Sequence, residues 1–182
     1  MKPEEIDIVV LTHLHWDHVG NVSRFRNAQF IVSREELRFA LDPIPCLYLV
    51  YESHQLGMQP EFLKVVDRIK TVNMKDKEIA EGVLIIPLPG HSPGSIGVVV
   101  ETEKGPHVIA GDVVPKYANL KGAPEERLPY LMSGIYTDML RCGNVLNSLM
   151  KSSSMITSGL FPVMTLWFFE KRDTLRIFIC IF

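Results

Sequence analysis

The sequence predicts an α/β fold, and three observations support this prediction. Four short apolar runs have the composition of buried strands, at residues 6–11, 83–86, 96–100 and 107–110. Elsewhere, apolar residues recur at the spacing of amphipathic helices. Histidine and aspartate residues follow three of the strand-like runs. Because functional residues of α/β folds collect at the carboxyl ends of strands, the pattern also predicts a functional site.

Three helices are predicted between and after these strands. The sequence from Ser33 to Glu36 has the spacing of a capping box, which predicts a helix through Leu41 that Pro43 and Pro45 end. Two further amphipathic helices are predicted from apolar spacing, the first containing Phe62, Val66 and Ile69 and the second containing Met139, Cys142, Leu146 and Leu149.

The segment from Pro45 to Pro60 is apolar and aromatic, and it contains Tyr48, Tyr51 and His54. It has two interpretations, packing in the core or a lid over a substrate pocket. We favour core packing.

The segment Thr12-His13-Leu14-His15-Trp16-Asp17-His18 places four potential metal ligands within six residues, directly after the first strand. In an extended loop, His13 and His15 project to the same side and can share one ion. Asp17 and His18 then face a neighbouring position. Imidazole and carboxylate are ligands that zinc and related divalent metals accept. An inert polar loop is the alternative, and the density of ligands argues against it.

Two more potential ligands follow later strands. The turn Leu88-Pro89-Gly90-His91-Ser92-Pro93-Gly94-Ser95 presents His91 after the strand at 83–86, since glycine and proline favour a tight turn. Asp112 follows the strand at 107–110. The sequence therefore predicts that ligands from three strand ends form one metal site.

These motifs carry a family resemblance. The strings THLHWDH, PGHSPGS and AGD, in this order, resemble the metallo-β-lactamase superfamily of dinuclear zinc hydrolases. The longer strings LTHLHWDHVGN, LPGHSPGS and AGDVVP resemble its N-acyl homoserine lactonase-like branch. The resemblance covers about residues 1–140 and implies an αβ/βα sandwich, with two sheets face to face and helices outside.

The resemblance also implies that the domain is incomplete. The family has several more strands before its first ligand motif, whereas this chain begins almost on that motif. We therefore expect residues 1–182 to form a single partial domain, in which residues 1–140 are family-like and residues from about 143 to 182 are doubtful sequence.

The resemblance implies two Zn²⁺ ions and a division of the ligands between them: His13, His15 and His91 hold one, Asp17 and His18 hold the second, and Asp112 bridges both. Zinc lowers the pKa of bound water toward about 7, so hydroxide is present at neutral pH. The expected reaction is attack of metal-bound hydroxide on an ester-like carbonyl, most simply that of a lactone such as an N-acyl homoserine lactone. Asp17 or Asp112 would move the proton.

A tyrosine is the third catalytic candidate. In the lactonase-like branch, a tyrosine three residues after the bridging aspartate contacts the substrate carbonyl. That position is Pro115 here, and the nearest phenol is Tyr117. Tyr117 is therefore the candidate for this role, and Tyr136 is a further tyrosine without an assigned role.

The family supplies a last histidine to the second metal, but no histidine follows His107 here. From Leu160 to Phe168, a shifted reading frame necessarily encodes aspartate across Met164-Thr165 and valine across Trp167-Phe168. The shifted frame permits VPGHDPLVF, which resembles the missing motif. We therefore expect part of the region after about Cys142 to be a frameshift product.

Composition favours a cytoplasmic enzyme with a small-molecule substrate. The 182 residues carry a net charge of −2, which argues against nucleic acid as a partner. Three widely spaced cysteines indicate neither a disulfide framework nor a CxxC zinc site. The first residues do not form a signal peptide. We expect no membrane partner, since serine, threonine, glycine and proline interrupt the uncharged stretch 152–169. The oligomeric state stays open.

Two alternatives to a lactonase remain. One is another hydrolase of the superfamily, such as a glyoxalase II-like thioesterase, because these motifs do not choose the substrate. The other is a non-catalytic, truncated metal-binding fragment. For the chain as given we expect weak hydrolysis, low solubility and at most about one tightly held zinc.

Overall fold

The computed structural model describes residues 2–151, 160–161, 167–171 and 175–180. The strands in these ranges are β1 (Ile8–Leu11), β2 (Gln29–Ser33), β3 (Ile69–Val72), β4 (Lys77–Ala80), β5 (Val83–Pro87), β6 (Ile96–Thr102), β7 (Gly105–Ile109), β8 (Leu160–Phe161), β9 (Trp167–Lys171) and β10 (Leu175–Cys180). The α-helices are α1 (Trp16–Val19), α2 (Arg34–Leu41), α3 (Tyr48–Tyr51), α4 (Tyr117–Lys121) and α5 (Met139–Lys151). Short 3₁₀ helices cover Pro3–Glu5, Val22–Arg24, Pro45–Leu47, Glu61–Arg68, Gly111–Val113 and Pro124–Glu126.

The chain divides into two compact units, and each contains one five-stranded sheet. The first unit comprises residues 2–73 together with 167–171 and 175–180. The second comprises residues 74–151 and 160–161.

The sheet of the first unit has the strand order β3-β2-β1-β10-β9. Strands β3, β2, β1 and β10 run parallel, and β9 pairs antiparallel with β10. Val9, Val10 and Leu11 of β1 are all fully buried, as expected for a parallel strand that is covered on both faces. The strand predicted over residues 6–11 is therefore confirmed from Ile8 onward.

The apolar segment near residue 180 also forms a strand. Ile177, Phe178 and Ile179 are buried, and β10 lies between β1 and β9 rather than at an edge of the sheet. Its parallel register with β1 pairs Ile8 with Ile177 and Leu11 with Cys180. This segment, whose residues favour strands, thus forms an interior strand of the sheet.

The helix predicted to begin after Ser33 is confirmed as α2. The Ser33 side chain accepts a hydrogen bond from the backbone N–H of Glu36 at 2.9 Å, which is the N-cap interaction expected from the sequence. Alternate side chains of β1 and β2, namely Val9, Leu11, Phe30 and Val32, pack with Phe178 in one hydrophobic cluster.

Two predictions for residues 45–69 need correction. Residues Glu61–Arg68 form a 3₁₀ helix rather than an amphipathic α-helix, and Ile69 already belongs to β3. Tyr51 packs in the core as predicted, but Leu49 and Leu56 are exposed. Periodicity alone did not reveal that the chain must leave the helix at Arg68 to pair with β2.

The second unit is built on the sheet β4-β5-β6-β7-β8. Strands β4 to β7 are antiparallel, and β8 pairs parallel with β7. The strands predicted at 83–86, 96–100 and 107–110 are confirmed as β5, β6 and β7. The second predicted amphipathic helix is confirmed as α5, whose Cys142, Leu146 and Leu149 are buried.

Two regions of the sequence analysis fall mostly outside the described residues. These are the shifted-frame segment 160–168 and the uncharged stretch 152–169. Of residues 152–169, the structure describes 160–161 and 167–169, all as strand. Within the described part of the chain, no helix combines the length and apolar character that a membrane span requires.

Candidate metal centre

The first group of ligands lies in the loop between β1 and α1. His15 has an extended backbone and is the N-cap of α1, so the chain turns into a helix between His15 and Asp17. The His13 ring lies 4.5 Å from the His15 ring and 3.9 Å from the His18 ring, measured between centroids. The loop therefore brings three imidazoles together, with His13 next to both others.

These three imidazoles are buried. His13 is 1% exposed, His15 is 5% exposed and His18 is fully buried. A ligand nitrogen of His13 lies within 4.8 Å of one from His15 and of one from His18. Such spacing allows two nitrogens to contact one divalent ion, since zinc–nitrogen bonds are about 2.0–2.1 Å long.

Asp17 differs from the histidines in its exposure. Its side chain is 47% exposed, and its Oδ2 lies 3.6 Å from His18 Nε2. Asp17 and His18 therefore lie close together, with the carboxylate accessible to solvent, and their shared ligation of one ion stays a prediction.

A buried carboxylate that the sequence analysis did not single out supports this loop. Glu36 Oε1 accepts hydrogen bonds from the backbone N–H of Leu14 at 3.0 Å and from the Tyr51 hydroxyl at 2.9 Å. The Tyr51 ring packs edge-on against His15, with centroids 4.7 Å apart. The only sequence signal was the capping-box position of Glu36, which indicated a helix start and not a contact with the ligand loop.

The second group of ligands lies in the second unit, and His91 is its first member. His91 is 2% exposed, and its Nδ1 lies 2.8 Å from the Ile135 carbonyl oxygen. Because a carbonyl oxygen only accepts hydrogen bonds, Nδ1 carries the hydrogen, which leaves Nε2 as the nitrogen that can bind a metal in the neutral ring. This is the orientation that metal-binding histidines commonly adopt.

The turn that presents His91 is held by the segment that precedes α5. The Gly90 carbonyl accepts hydrogen bonds from the backbone N–H groups of Thr137 at 2.8 Å and Asp138 at 3.0 Å. Gly90 has φ +137°, and a Cβ there would lie 2.5 Å from the backbone nitrogen of Cys142. Only glycine fits this conformation and this close approach. Within the turn, the buried Ser92 and Ser95 hydroxyls lie 2.7 Å apart.

The same close packing affects the Cys142 thiol. Burial, together with the nearby Asp138 carboxylate, raises the pKa of Cys142 to about 11. The thiol is therefore neutral at physiological pH, which suits a packing role beside Gly90.

Asp112 completes the second group. It lies in the 3₁₀ helix Gly111–Val113 directly after β7, and its side chain is 22% exposed. Its Oδ2 lies 3.6 Å from His91 Nε2. The two ligands predicted after separate strands of this unit are thus brought together.

The two tyrosine candidates are exposed in the second unit. Tyr117 begins α4 and is 51% exposed, and Tyr136 is 42% exposed. His107 lies in β7, where its Nδ1 is 2.9 Å from the Gly105 carbonyl oxygen. The assignment of Tyr117 to the substrate carbonyl stays a prediction.

The donor set fits a divalent metal chemically. Buried imidazoles in the first unit, and an oriented imidazole beside a carboxylate in the second, are the donor types that zinc, iron and related ions bind. A potential metal site rich in histidine is therefore present. How the ligands divide between ions stays a prediction.

Comparison with known proteins agrees with this chemistry. The family model described as the metallo-beta-lactamase superfamily matches residues 1–143. An N-acyl homoserine lactonase from Bacillus cereus is 33% identical over 112 residues, which cover 59% of this chain and 38% of the lactonase. The chain thus spans well under half the length of that relative.

Solved structures share the fold. A probable metal-dependent hydrolase from Staphylococcus aureus aligns with a TM-score of 0.71 at 18% identity, over 90% of this chain and 56% of the hydrolase. A dizinc quorum-quenching lactonase, solved with an N-acyl homoserine product, aligns with a TM-score of 0.64 at 17% identity, over 83% of this chain and 54% of the lactonase. The predicted α/β fold with two sheets is confirmed, and the chain covers part of the domain.

Proposed function

Because the chain belongs to the metallo-β-lactamase superfamily, we propose that it is the ligand-bearing part of a dinuclear zinc hydrolase that opens lactones. The proposed substrate class is N-acyl homoserine lactones. The curated relative from Bacillus cereus is named for this activity, which supports the choice over thioesters.

The observation that carries the proposal is the burial of three imidazoles in one short loop. Histidine is only intermediate in its tendency to be buried, so three buried histidines within six residues call for an explanation. Here His13, His15 and His18 place their rings against one another. A bound cation accounts for this arrangement, because each ring can direct a lone pair toward it.

We assign the ligands as the family resemblance implies. His13, His15 and His91 would hold one ion, Asp17 and His18 would hold the second, and Asp112 would bridge them. When bound, zinc supplies hydroxide at neutral pH and polarises the substrate carbonyl.

The chain's own residues supply orientation and proton transfer in this proposal. The Ile135 carbonyl orients His91 by accepting from Nδ1. Asp17 is partly open to solvent and Asp112 is less so, so either carboxylate can take up a proton and release it to water. Tyr117, exposed at the start of α4, is the candidate donor to the substrate carbonyl oxygen.

A small molecule is the proposed partner, and a cytoplasmic location is retained as a prediction from composition. The alternatives are a thioesterase of the same superfamily and a metal-binding fragment without activity. One set of measurements can distinguish the lactonase, the thioesterase and the inactive fragment.

The test uses the full 182-residue chain. It is stripped of metal with a chelator, reloaded with zinc or with magnesium, and assayed on an N-acyl homoserine lactone, an acyl thioester and a β-lactam. Metal per chain is measured by elemental analysis. We expect zinc, and not magnesium, to bind and to restore lactone hydrolysis above the metal-free rate.

Each alternative has its own outcome. If the thioester is hydrolysed faster than the lactone, the function is that of a thioesterase and not of a lactonase. Zinc binding with no hydrolysis of any substrate identifies a metal-binding fragment. Absence of zinc binding contradicts the proposal as a whole.

A further inference from the structure

Glu36 is a carboxylate at a position where a charge is costly. Glu36 lies in the first turn of α2 and is fully buried. A buried carboxylate is tolerated only where hydrogen bonds compensate for lost hydration. Two such bonds, from Leu14 and Tyr51, end on the same oxygen, Oε1.

Both donors belong to the surroundings of the proposed metal ligands. The Leu14 N–H lies in the chain between His13 and His15, so its hydrogen bond restrains the backbone that spaces the two imidazoles. The Tyr51 ring contacts the His15 ring edge-on, and the bond from its hydroxyl to Glu36 restrains that ring. One oxygen thus restrains both the backbone beside the ligands and one ligand ring.

Glu36 itself is held firmly. Its backbone N–H donates to the Ser33 side chain at the N-cap of α2, and a carboxylate in the first turn of a helix is stabilised by the helix dipole. The residue therefore provides a fixed point against which the ligand loop can be positioned.

We propose that Glu36 is a positioning residue that sets the spacing of His13 and His15 through Leu14 and Tyr51. This inference rests on the proposed function, because it assigns the spacing to metal binding. Glu36 acts through the loop and does not contact the ion. Groups that orient metal ligands commonly change metal affinity by about 10–100-fold when they are removed.

Four variants of the full chain test the inference. Glu36→Ala removes the acceptor, whereas Glu36→Gln keeps an oxygen for both hydrogen bonds and removes the charge. Tyr51→Phe removes one donor and keeps the ring on His15. Ala40→Gly is the matched control, because it weakens the same helix one turn further along without removing any hydrogen-bonding side chain.

Two readouts are needed. The first is amide hydrogen exchange at Leu14 in the metal-free protein, which reports on the restraint of the loop without zinc. The second is zinc affinity, measured by competition with a chromophoric chelator.

We expect Glu36→Ala to accelerate exchange at Leu14 and to weaken zinc binding about 10–100-fold. Glu36→Gln should stay within about threefold of wild type in zinc affinity, because its oxygen still accepts both bonds. In both readouts, Tyr51→Phe should give values between those of Glu36→Ala and Glu36→Gln. Ala40→Gly should change hydrogen exchange at Leu14 and zinc affinity only as far as it lowers overall stability.

The contrary outcomes are distinct from failure of the proposed function. If Glu36→Ala binds zinc as wild type does, the positioning role is wrong while the metal site stands. If Glu36→Gln loses affinity as fully as Glu36→Ala, the negative charge acts directly and the positioning role is again wrong. If the wild-type chain binds no zinc, the proposed function fails. Hydrogen exchange tests the loop separately: if Glu36→Ala leaves exchange at Leu14 unchanged, Glu36 does not restrain the loop.

Discussion

The loop at residues 12–18 and the turn at residues 90–95 present their histidines by different physical means. In the first, a buried carboxylate on α2 holds the Leu14 backbone, and the rings of His13, His15 and His18 pack on one another. In the second, backbone hydrogen bonds from residues 137 and 138 hold Gly90, and the Ile135 carbonyl orients the single imidazole of His91.

The difference concerns where the restraint comes from. The first loop depends on side chains, so single substitutions of Glu36 or Tyr51 can loosen it. The second depends mainly on backbone groups, which substitutions do not remove. Its weak point is therefore steric, at Gly90, where no side chain fits.

The largest effect is expected when a ligand of the first loop is removed. Under the proposed function, lactone hydrolysis by His13→Ala should fall by more than about 100-fold, since removing a ligand costs more than removing a group that orients one. Because the His13 ring contacts both His15 and His18, zinc binding at both positions should weaken. His91→Ala should weaken only one.

Zinc titration and steady-state kinetics measure this contrast. His54→Ala is the control, since His54 lies outside both loops with a half-exposed side chain. An equal loss of zinc affinity in His13→Ala and His91→Ala would show that the two loops do not differ in this respect.

The steric weak point of the second turn predicts a smaller effect, on stability. Gly90→Ala adds a Cβ only 2.5 Å from the Cys142 nitrogen at a φ of +137°. We expect the free energy of unfolding to fall by about 3 kcal/mol, as measured by urea denaturation. Gly134→Ala is the matched control, because a Cβ there meets no atom within 4 Å. Equal stability of the two variants would contradict the close packing.

The smallest expected effect is the pH dependence that comes from Cys142. Its pKa is raised from 9.0 to about 11 in the folded protein, so the folded state binds the proton more tightly than the unfolded state does. The corresponding stability is complete below pH 9 and is lost as the pH rises toward 11.

Urea denaturation at several pH values between 8 and 11 tests this, with Cys142→Ala as the comparison. The variant should lose less stability than wild type across this range. Alkylation followed by peptide mass spectrometry should also modify the exposed Cys46 before Cys142. Faster modification of Cys142 would contradict the burial of its thiol.

The clustering of the candidate ligands could be predicted from the sequence because they lie within short motifs next to strands. His13, His15, Asp17 and His18 are contiguous enough for local geometry to bring them together. Glu36 was missed because its role depends on Leu14, 22 residues away, and on Tyr51, 15 residues away. A capping-box pattern contains no information about such contacts.

The fold was predictable to a similar extent. Strands β1, β5, β6 and β7 have apolar runs that leave little choice, and the family resemblance is confirmed. The 3₁₀ helix Glu61–Arg68 was predicted as an α-helix because the two share nearly the same apolar spacing. What decides between them is the pairing of β3 with β2, which is a tertiary interaction.

The position of β10 beside β1 has a consequence for biosynthesis. The backbone N–H of Arg176 donates to the Asp7 carboxylate, and these residues are 169 positions apart in the chain. At about 5–20 residues per second, the ribosome adds β10 on the order of ten to thirty seconds after β1. During that interval, the strand that leads into the His13 loop has one of its two neighbours missing. The histidines of a nascent chain are therefore synthesised well before their sheet is complete, and under the proposed function stable zinc binding would follow translation.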